Sequence, residues 1–453
     1  MDPFASQRLL IAAMVALLLN LAVPAVSFSQ EKTSTPPVPA VLLVEPREST
    51  PLDRQIRAAQ VKLARAVQPG PELERLGWLF IAKARASSDP GFNTLAGLAA
   101  DALEKNFNLP EEAWLLRGHV LQTRHRFAEA EALARRLIAA RGNAEDFALL
   151  GDALYDQGNS TAAAAAYQML VDLRPGLDGY ARAANIRWLR GDLNGAVALQ
   201  TLAVRAGGPG DPGALAWSLT RLGQLVWAQG NAAAAAAEAA RASELVPDFP
   251  PALLLQGRLL LASGRADEAL APLARAATIL PLPEPRWVYA EALRAAGREA
   301  EARSIETLLV REGTAEDPRT VALFLATRGL DRDTAVHLAS AELATRADVV
   351  THAANALALA QAGRTDEAVP QARAALAEGT IDAHLFLQAG RALALANQPG
   401  AADVLGRVRR LAGVLLPSEQ RLLEDSLARL PAGENLRVAV SMNPEPNHDE
   451  NHH

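Results

Sequence analysis

Residues 144–175, AEDFALLGDALYDQGNSTAAAAAYQMLVDLRP, decide how this chain folds. They contain the spacing large-x-x-Leu-Gly-x-x-large, followed by a small and an aromatic residue four apart and by a closing proline. In chain order these residues are Phe147, Leu150, Gly151, Leu154, Ala163, Tyr167 and Pro175. The second half is rich in alanine, the best helix former. The stretch therefore predicts two helices joined by a polar turn around Gly158.

The same pattern returns along most of the chain. Its small residue recurs at Gly77, Gly118, Gly151, Ala184, Gly223, Gly257, Ala290, Ala322, Ala356 and Gly390. Most steps between these positions are 32 to 34 residues long, and two are 41 and 39. Polar turns recur in step with the pattern, and their glycines are Gly158, Gly191, Gly230, Gly264, Gly297 and Gly363. A fixed period of this length is typical of stacked repeats, and each turn glycine is predicted to be a left-handed helix cap.

Each repeat is predicted to be an antiparallel pair of helices. One pair cannot bury its apolar faces alone, so it needs neighbours. A Gly or Ala at the small site lets the second helix approach the first closely, while larger residues fill the flanking volume. Alternating Val, Ile or Tyr does not appear between turn clusters over several consecutive elements, which argues against a mixed fold. We therefore expect an all-α solenoid.

The pattern resembles that of the tetratricopeptide repeat, W-x-x-L-G-x-x-Y, then A-x-x-x-F, then P. The resemblance covers about residues 70–412. It implies a right-handed superhelical solenoid of about nine to ten helix pairs, used as a scaffold for protein or peptide ligands. Where the family's peptide-carboxylate clamp has matched Lys and Asn residues, this chain has only Asn185.

The resemblance also implies which residues line the concave face. In the family these are the second, fifth, ninth and twelfth residues of each repeat, and six aromatic residues lie there: Trp78, Tyr155, Trp188, Trp217, Trp227 and Trp287. Their polar neighbours are His119, Gln122, Asp152, Asn185, Gln224, Arg258, Glu291 and Arg294. Aromatic anchors among hydrogen-bonding groups are typical of peptide-binding surfaces. The peptide-binding residues so implied are Tyr155, Asn185, Trp188, Trp217, Gln224, Trp227, Arg258 and Trp287. The alternative is that these aromatic residues only pack against the next repeat.

The two long steps contain helix-breaking residues. Residues 87–91, SSDPG, predict a lengthened turn within the 41-residue step. Residues 207–213, GGPGDPG, predict a loop within the 39-residue step. This loop lacks the Lys-Ser/Thr ending and the preceding strand of a phosphate-binding loop, so we expect a plain connection.

The N-terminus predicts export. Arg8 precedes the apolar stretch 9–23, and small residues follow at Ala25, Ser27 and Ser29, which is the layout of a secretory signal peptide. An uncleaved membrane anchor is the alternative, since residues 9–28 could nearly span a bilayer. We divide the chain into a signal peptide at 1–29, a Pro-rich extended linker at 30–52, the solenoid at 53–430 and a disordered His-rich and acidic tail at 431–453.

Composition and motifs limit the kinds of partner and activity that we expect for this chain. The net charge of −6 and the lack of a Lys/Arg block make nucleic acid an unexpected partner. The chain has no cysteine, hence no disulfide, which suits a bacterial periplasm. Motifs such as H-E-x-x-H, G-x-S-x-G and the P-loop are absent, so we expect neither an enzyme nor a cofactor. Residues His448–His453 could chelate a divalent ion, but a solvated end is the simpler interpretation, and no metal site is expected.

The sequence therefore predicts an exported, non-catalytic scaffold that binds a protein or peptide in the periplasm or outside medium. One alternative is a membrane-anchored factor in envelope assembly or secretion, with membrane contact only if the signal segment is retained. Another is a substrate-recognition subunit that acts in trans with an enzyme.

Overall fold

A computed structural model describes residues 38–48, 50–87 and 89–431. This part of the chain is mainly helical and contains no β-strand, so the all-α solenoid is confirmed. After a short 3-10 helix (Ala40–Leu43) come twenty-two α-helices. They are α1 (Pro51–Arg65), α2 (Pro69–Ser87), α3 (Pro90–Phe107), α4 (Pro110–Thr123), α5 (Phe127–Ala140), α6 (Ala144–Asp156), α7 (Ser160–Leu173), α8 (Leu177–Leu189), α9 (Leu193–Ala206), α10 (Pro212–Ala228), α11 (Ala232–Leu245), α12 (Pro250–Ala262), α13 (Ala266–Ile279), α14 (Pro283–Ala295), α15 (Glu299–Glu316), α16 (Pro318–Arg328), α17 (Arg332–Leu343), α18 (Val349–Gln361), α19 (Thr365–Leu376), α20 (Ala383–Leu395), α21 (Ala401–Arg410) and α22 (Pro417–Ala428). A second 3-10 helix (Ala412–Val414) lies between α21 and α22.

Helices α2 to α21 form ten pairs, and in each pair the first helix packs against the second helix that follows it. The ten small residues of the sequence pattern all lie on first helices and are all buried. A Cβ added at Gly151 would overlap the buried ring of Tyr167 on α7. At Gly257 it would overlap Leu273 on α13. At Gly77 and Gly118 it would instead overlap Leu116 and Leu149 of the next first helix, so the period marks positions where a first helix closely contacts its pair partner or the next repeat.

The turns between paired helices have the predicted caps. All six glycines expected there have a positive φ, from +76° to +89°. The residue after three of them caps the second helix, because its side chain accepts a hydrogen bond from the first turn: Asn159, Asp192 and Asn231. Prolines begin several first helices, where a missing N–H costs nothing. These local signals explain why the helix boundaries follow the repeat.

The two long steps have different structural causes. Helices α2 and α3 are 19 and 18 residues long, and α3 begins at Pro90, directly after its cap Asp89. The prediction of a lengthened turn is therefore wrong, since the extra residues lengthen the helices. The loop in the 39-residue step is present but covers only residues 207–211, because Asp211 caps α10 and Pro212 begins it.

Part of the expected linker packs against the solenoid. Leu42 is fully buried, and Gln60 of α1 donates hydrogen bonds of 2.9 Å to the carbonyl oxygens of Leu42 and Val44. Lys83 of α2 pairs with Glu48 at 2.8 Å. An extended linker is therefore wrong for residues 40–48, because burial and hydrogen bonds fix them. The predicted signal peptide and residues 432–453 of the predicted tail lie outside the described residues. Within the described ranges, no helix has the length and apolar character needed to cross a bilayer.

Repeats far apart in sequence touch one another. Arg346, just after α17, donates a hydrogen bond of 2.7 Å to Asp156 at the end of α6, 190 residues away. Thr380 Oγ1 donates one of 2.6 Å to the carbonyl oxygen of Leu189, 191 residues away. Contacts between neighbouring repeats alone do not produce such pairs. The later repeats thus return to the ends of first helices in the middle of the array.

Candidate functional site

Three successive first helices and the returning chain enclose a cavity of about 350 Å³. From the first helices come Trp188 of α8, Arg221, Gln224 and Trp227 of α10, and Arg258 of α12. The returning chain contributes Ile381, Asp382, Ala383, His384, Leu411 and Val414. This volume lies within the range of about 300–1,000 Å³ that ligand pockets usually have.

One part of the lining is apolar and well packed. The side chain of Trp227 is 8% exposed and packs against Ala235, Ala239 and Leu255. Val414 of the returning chain packs against the same cluster. These residues offer an apolar surface to a ligand side chain.

Arg221 is a charged residue in the lining of the cavity. It lies 4.9 Å from the ring centre of Trp188, within cation–π range. It also donates hydrogen bonds to Asn185 Oδ1 at 3.1 Å and Gln224 Oε1 at 3.2 Å. Burial lowers the pKa of Arg221, but a guanidinium stays charged in proteins. Among the described residues, no carboxylate forms an ion pair with it.

The carboxylates that line the cavity already have other partners. Asp382 caps α20 by accepting a hydrogen bond from the backbone N–H of Leu385 at 2.9 Å. Asp317 caps α16 in the same way. Glu284 pairs with Arg258 at 3.1 Å. Arg221 therefore forms no ion pair among the described residues, although the charge of the nearby Asp382 partly offsets its own.

Arg258 connects the first helices to the end of the chain through His384. Its guanidinium lies 2.9 Å from His384 Nε2, and His384 Nδ1 lies 2.8 Å from Glu419 Oε1. Because arginine has only donors, Nε2 accepts and the neutral ring carries its proton on Nδ1. Burial lowers the pKa of His384, but the Glu419 carboxylate outweighs burial and raises it above its usual range. This chain of contacts fixes the wall formed by α20.

Five of the eight residues that the resemblance implies lie together at this place: Asn185, Trp188, Gln224, Trp227 and Arg258. The other three lie elsewhere. Trp217 is 44% exposed on α10, one helical turn before Arg221, and lines no cavity described here. Trp287 is 6% exposed and packs edge-on against Phe324, with ring centres 5.6 Å apart.

Tyr155 lines a smaller cavity of about 140 Å³ between α6 and the chain around Ala347. Burial raises the pKa of its hydroxyl to about 12, so it stays protonated. The cavity also borders Ser160 and Glu378, whose side chains are hydrogen-bonded to each other at 2.7 Å. Tyr155 thus faces the returning chain rather than open solvent.

The remaining polar residues of the first helices already have partners on neighbouring helices. Asp152 accepts two hydrogen bonds of 2.7 Å from Arg182 and one of 2.8 Å from the Tyr167 hydroxyl. His119 contacts Trp78 edge-on, with ring centres 5.0 Å apart. Arg294 pairs with Glu299 and Glu306. These residues form structural networks at the first-helix surface.

Sequence reasoning missed Arg221, Asp382 and His384. Arg221 lies between two implied positions, and the other two belong to a segment whose return no repeat pattern encodes. One signal in the sequence could have indicated this return. In the first seven helix pairs, the residues one and four positions after the small site are mostly polar or aromatic. In the next two pairs the same positions are apolar: Leu323, Ala326, Leu357 and Ala360. The apolar positions are buried in the largest core cluster. A change of polarity at fixed repeat positions therefore indicates where the chain covers its own surface.

Comparison with known proteins supports the repeat assignment. A family model described as "Tetratricopeptide repeat" matches residues 148–212 and 220–282. No curated protein matches the chain.

Solved structures with some likeness include the Cut9–Hcn1 hetero-tetramer of APC/C, with 14% identity over 83% of this chain and 89% of that one and a TM-score of 0.37. Another is PilF of Pseudomonas aeruginosa, with 18% identity over 44% and 90% and a TM-score of 0.34. A third is YrrB, described as a tetratricopeptide repeat protein with an unusual peptide-binding site, with 19% identity over 45% and 96% and a TM-score of 0.29.

The matched residues 148–212 and 220–282 contain all of α8 and α12 and ten of the 17 residues of α10, the three first helices of the cavity. The helix-pair geometry of this region also continues on both sides of it, over ten pairs in all. The described chain is therefore an array of helix pairs in which residues 148–212 and 220–282 match the tetratricopeptide repeat family.

Proposed function

We propose that this protein is a non-catalytic interaction scaffold that binds a peptide segment of a partner protein in the cavity between α8, α10, α12 and residues 381–384. One observation carries the proposal: a cavity of about 350 Å³ brings Trp188 and Trp227 together with a guanidinium that has no carboxylate partner. Aromatic and arginine side chains dominate the binding energy of most protein interfaces.

The lining also favours one ligand chemistry. Arg221 is half-buried and forms no ion pair among the described residues, although the charge of Asp382 acts on it, so a ligand carboxylate near Arg221 would be stabilised there. The apolar cluster around Trp227 and Val414 would accept a neighbouring apolar side chain. The ligand proposed is thus a short segment with an Asp or Glu close to a large apolar residue.

Selection from a random peptide library on the immobilised protein tests this proposal. Selected peptides should contain an acid–apolar pair, and replacing their Glu by Gln should weaken binding about ten-fold or more, in line with a charge-assisted hydrogen bond. Arg221→Gln in the protein should cause the same loss, and it should make the Glu and Gln peptides bind alike.

Arg275→Gln is the matched control. Arg275 is an exposed arginine on α13 that pairs with Asp248 and does not line the cavity. It should leave peptide binding unchanged. Peptides that bind Arg221→Gln as tightly as the parent protein would place the ligand elsewhere.

We further propose that the scaffold acts after export to a bacterial periplasm or the outside medium. This rests on the sequence of residues 8–29 alone. N-terminal sequencing of the protein from its native host should find a start between Val26 and Gln30. Intact Met1 in the membrane fraction would favour the anchored alternative, in which the same cavity serves envelope assembly or secretion.

A further inference from the structure

Two turns of the middle repeats touch two loops of the later repeats. The turns are residues 156–160 and 189–191, and the loops are residues 346–348 and 378–380. We call this set of contacts the clasp.

Three hydrogen bonds join the two sides of the clasp. Arg346 donates to Asp156 at 2.7 Å, Ser160 Oγ donates to Glu378 Oε1 at 2.7 Å, and Thr380 Oγ1 donates to the carbonyl oxygen of Leu189 at 2.6 Å. The side chain of Thr380 is 1% exposed, so its bond is shielded from water. The clasp therefore consists of one hydrogen bond that is buried from water, at Thr380, and two partly buried ones, at Arg346 and Ser160.

Backbone meets backbone at two glycines of the clasp. A Cβ added at Gly191 would lie 2.5 Å from the carbonyl oxygen of Gly379, and one added at Gly158 would overlap the carbonyl oxygen of Ala347. Gly230, Gly264, Gly297 and Gly363 occupy the equivalent turn position in other repeats, and an added Cβ there would have no neighbour within 4 Å. The close approach thus belongs to the clasp and not to the repeat.

The clasp and the cavity share the same chain segments. Leu189 follows the cavity residue Trp188, and Thr380 precedes the cavity wall of residues 381–384. Separating Thr380 from Leu189 would therefore draw the two walls of the cavity apart. In a solenoid each repeat touches mainly its neighbours, so small rotations add up along the array unless a distant contact stops them. The clasp is such a contact.

We propose that the clasp controls access to the cavity by holding its two walls together in the free protein, and that its opening separates these walls to admit the ligand. The role of the ligand rests on the proposed function, whereas the opening is a property of the chain alone.

A single cysteine in the cavity wall can measure this opening. The chain has no native cysteine, and Ala383 is 3% exposed in the wall. A thiol reagent should therefore label Ala383→Cys slowly, at a rate set by opening. In this background, Gly191→Ala is compared with Gly264→Ala, since both glycines have a φ of +76° and only Gly191 meets a distant backbone.

Labelling should be at least ten-fold faster in Gly191→Ala than in Gly264→Ala. A second comparison avoids any folding defect: Thr380→Val removes only the hydroxyl that bonds Leu189, and Thr278→Val removes one that bonds within its own helix. Labelling should be several-fold faster in Thr380→Val. Equal rates within both comparisons would overturn the clasp. Because labelling needs no ligand, that result would leave peptide binding untouched, and a failed peptide selection would not alter these rates.

Discussion

At the scale of single residues, tryptophans implied to share the concave face lie in different environments, including Trp188 and Trp227, which occupy the same repeat position. Trp287 and Trp227 are 6% and 8% exposed, Trp188 is half-buried, and Trp217 is 44% exposed. Trp227 is buried by its own pair, by the next first helix and by Val414 of the returning chain, and Trp287 packs against Phe324 of the next first helix. Position within the repeat predicts that these side chains share a face, and only the tertiary structure decides which of them are available to a ligand.

The burial of the two cavity tryptophans predicts unequal roles in stability. Trp227→Ala should lower the free energy of unfolding by about 3–5 kcal/mol, the usual cost of removing a packed Trp. Trp188→Ala should cost about 1–2 kcal/mol, since its half-buried ring packs only at the edge of the largest core cluster and otherwise borders the cavity and Arg221. Urea unfolding of both variants measures the difference. A large and equal loss in both would make both residues packing residues and remove Trp188 as a ligand anchor.

His119 should make stability depend on pH. Burial, aided by the neighbouring cations Arg85 and Arg182, lowers its pKa to about 4. Its Nδ1 is buried and has no hydrogen-bond partner among the described residues. In the unfolded chain His119 therefore takes up a proton below about pH 6.5, whereas in the folded chain it takes up this proton only below about pH 4. The contribution of neutral His119 to the free energy of unfolding is therefore fully present above about pH 6.5. It is lost as the pH falls from about 6.5 to about 4.

Comparison with His119→Gln isolates this effect from the carboxylates that titrate in the same range. Between pH 7 and pH 4.5 the parent protein should lose about 1–3 kcal/mol more unfolding free energy than the variant. Denaturant titrations at the two pH values give both numbers. Parallel losses in the two proteins would mean that the imidazole titrates normally.

At the scale of elements, the sequence predicts most of what the structure shows. The ten small sites lie on first helices, and the six turn glycines have the left-handed backbone, because these features depend on contacts within one pair or with the next repeat. The lengthened turn at 87–91 was wrong because Asp89 and Pro90 are as good a helix start as they are a turn. Helix-breaking residues mark a boundary, but they do not tell whether the extra residues belong to the loop or to the helices beside it.

Gly151 tests the packing within one pair. Gly151→Leu should cost about 1–3 kcal/mol, because its side chain would overlap the buried Tyr167 ring, whose hydroxyl is tied to Asp152. Hydrogen exchange should show the loss of protection centred on residues 144–210. Gly97→Ala is the matched control, since Gly97 lies within α3 with no atom in the path of a Cβ, and it should stabilise by about 0.5–1 kcal/mol. Uniform loss of protection along the chain after Gly151→Leu would argue against local pair packing.

At the scale of the described chain, the return of the later repeats is the feature that sequence did not predict. The residue pattern of one repeat predicts how its two helices pack with each other and with the neighbouring repeats. The return of the later repeats depends instead on small rotations summed over several helix pairs. The switch to apolar residues at Leu323 and Leu357 indicates that part of the first-helix surface is covered, but not by which segment. The candidate site was accordingly half predicted: its first-helix wall follows from the repeat, and its opposite wall at residues 381–384 does not.

The central claim is that residues near 159 and near 377 lie side by side although more than two hundred residues separate them in sequence. Spin labels at Asn159→Cys and Ala377→Cys, both exposed positions in a chain without other cysteines, measure this separation directly by pulsed electron paramagnetic resonance. The contact between Ser160 and Glu378 predicts one narrow distance distribution below about 25 Å once label length is included. A distribution centred at several tens of ångström, as expected if helices about 10 Å across stack in an open array, would contradict both the return of the chain and the cavity that depends on it.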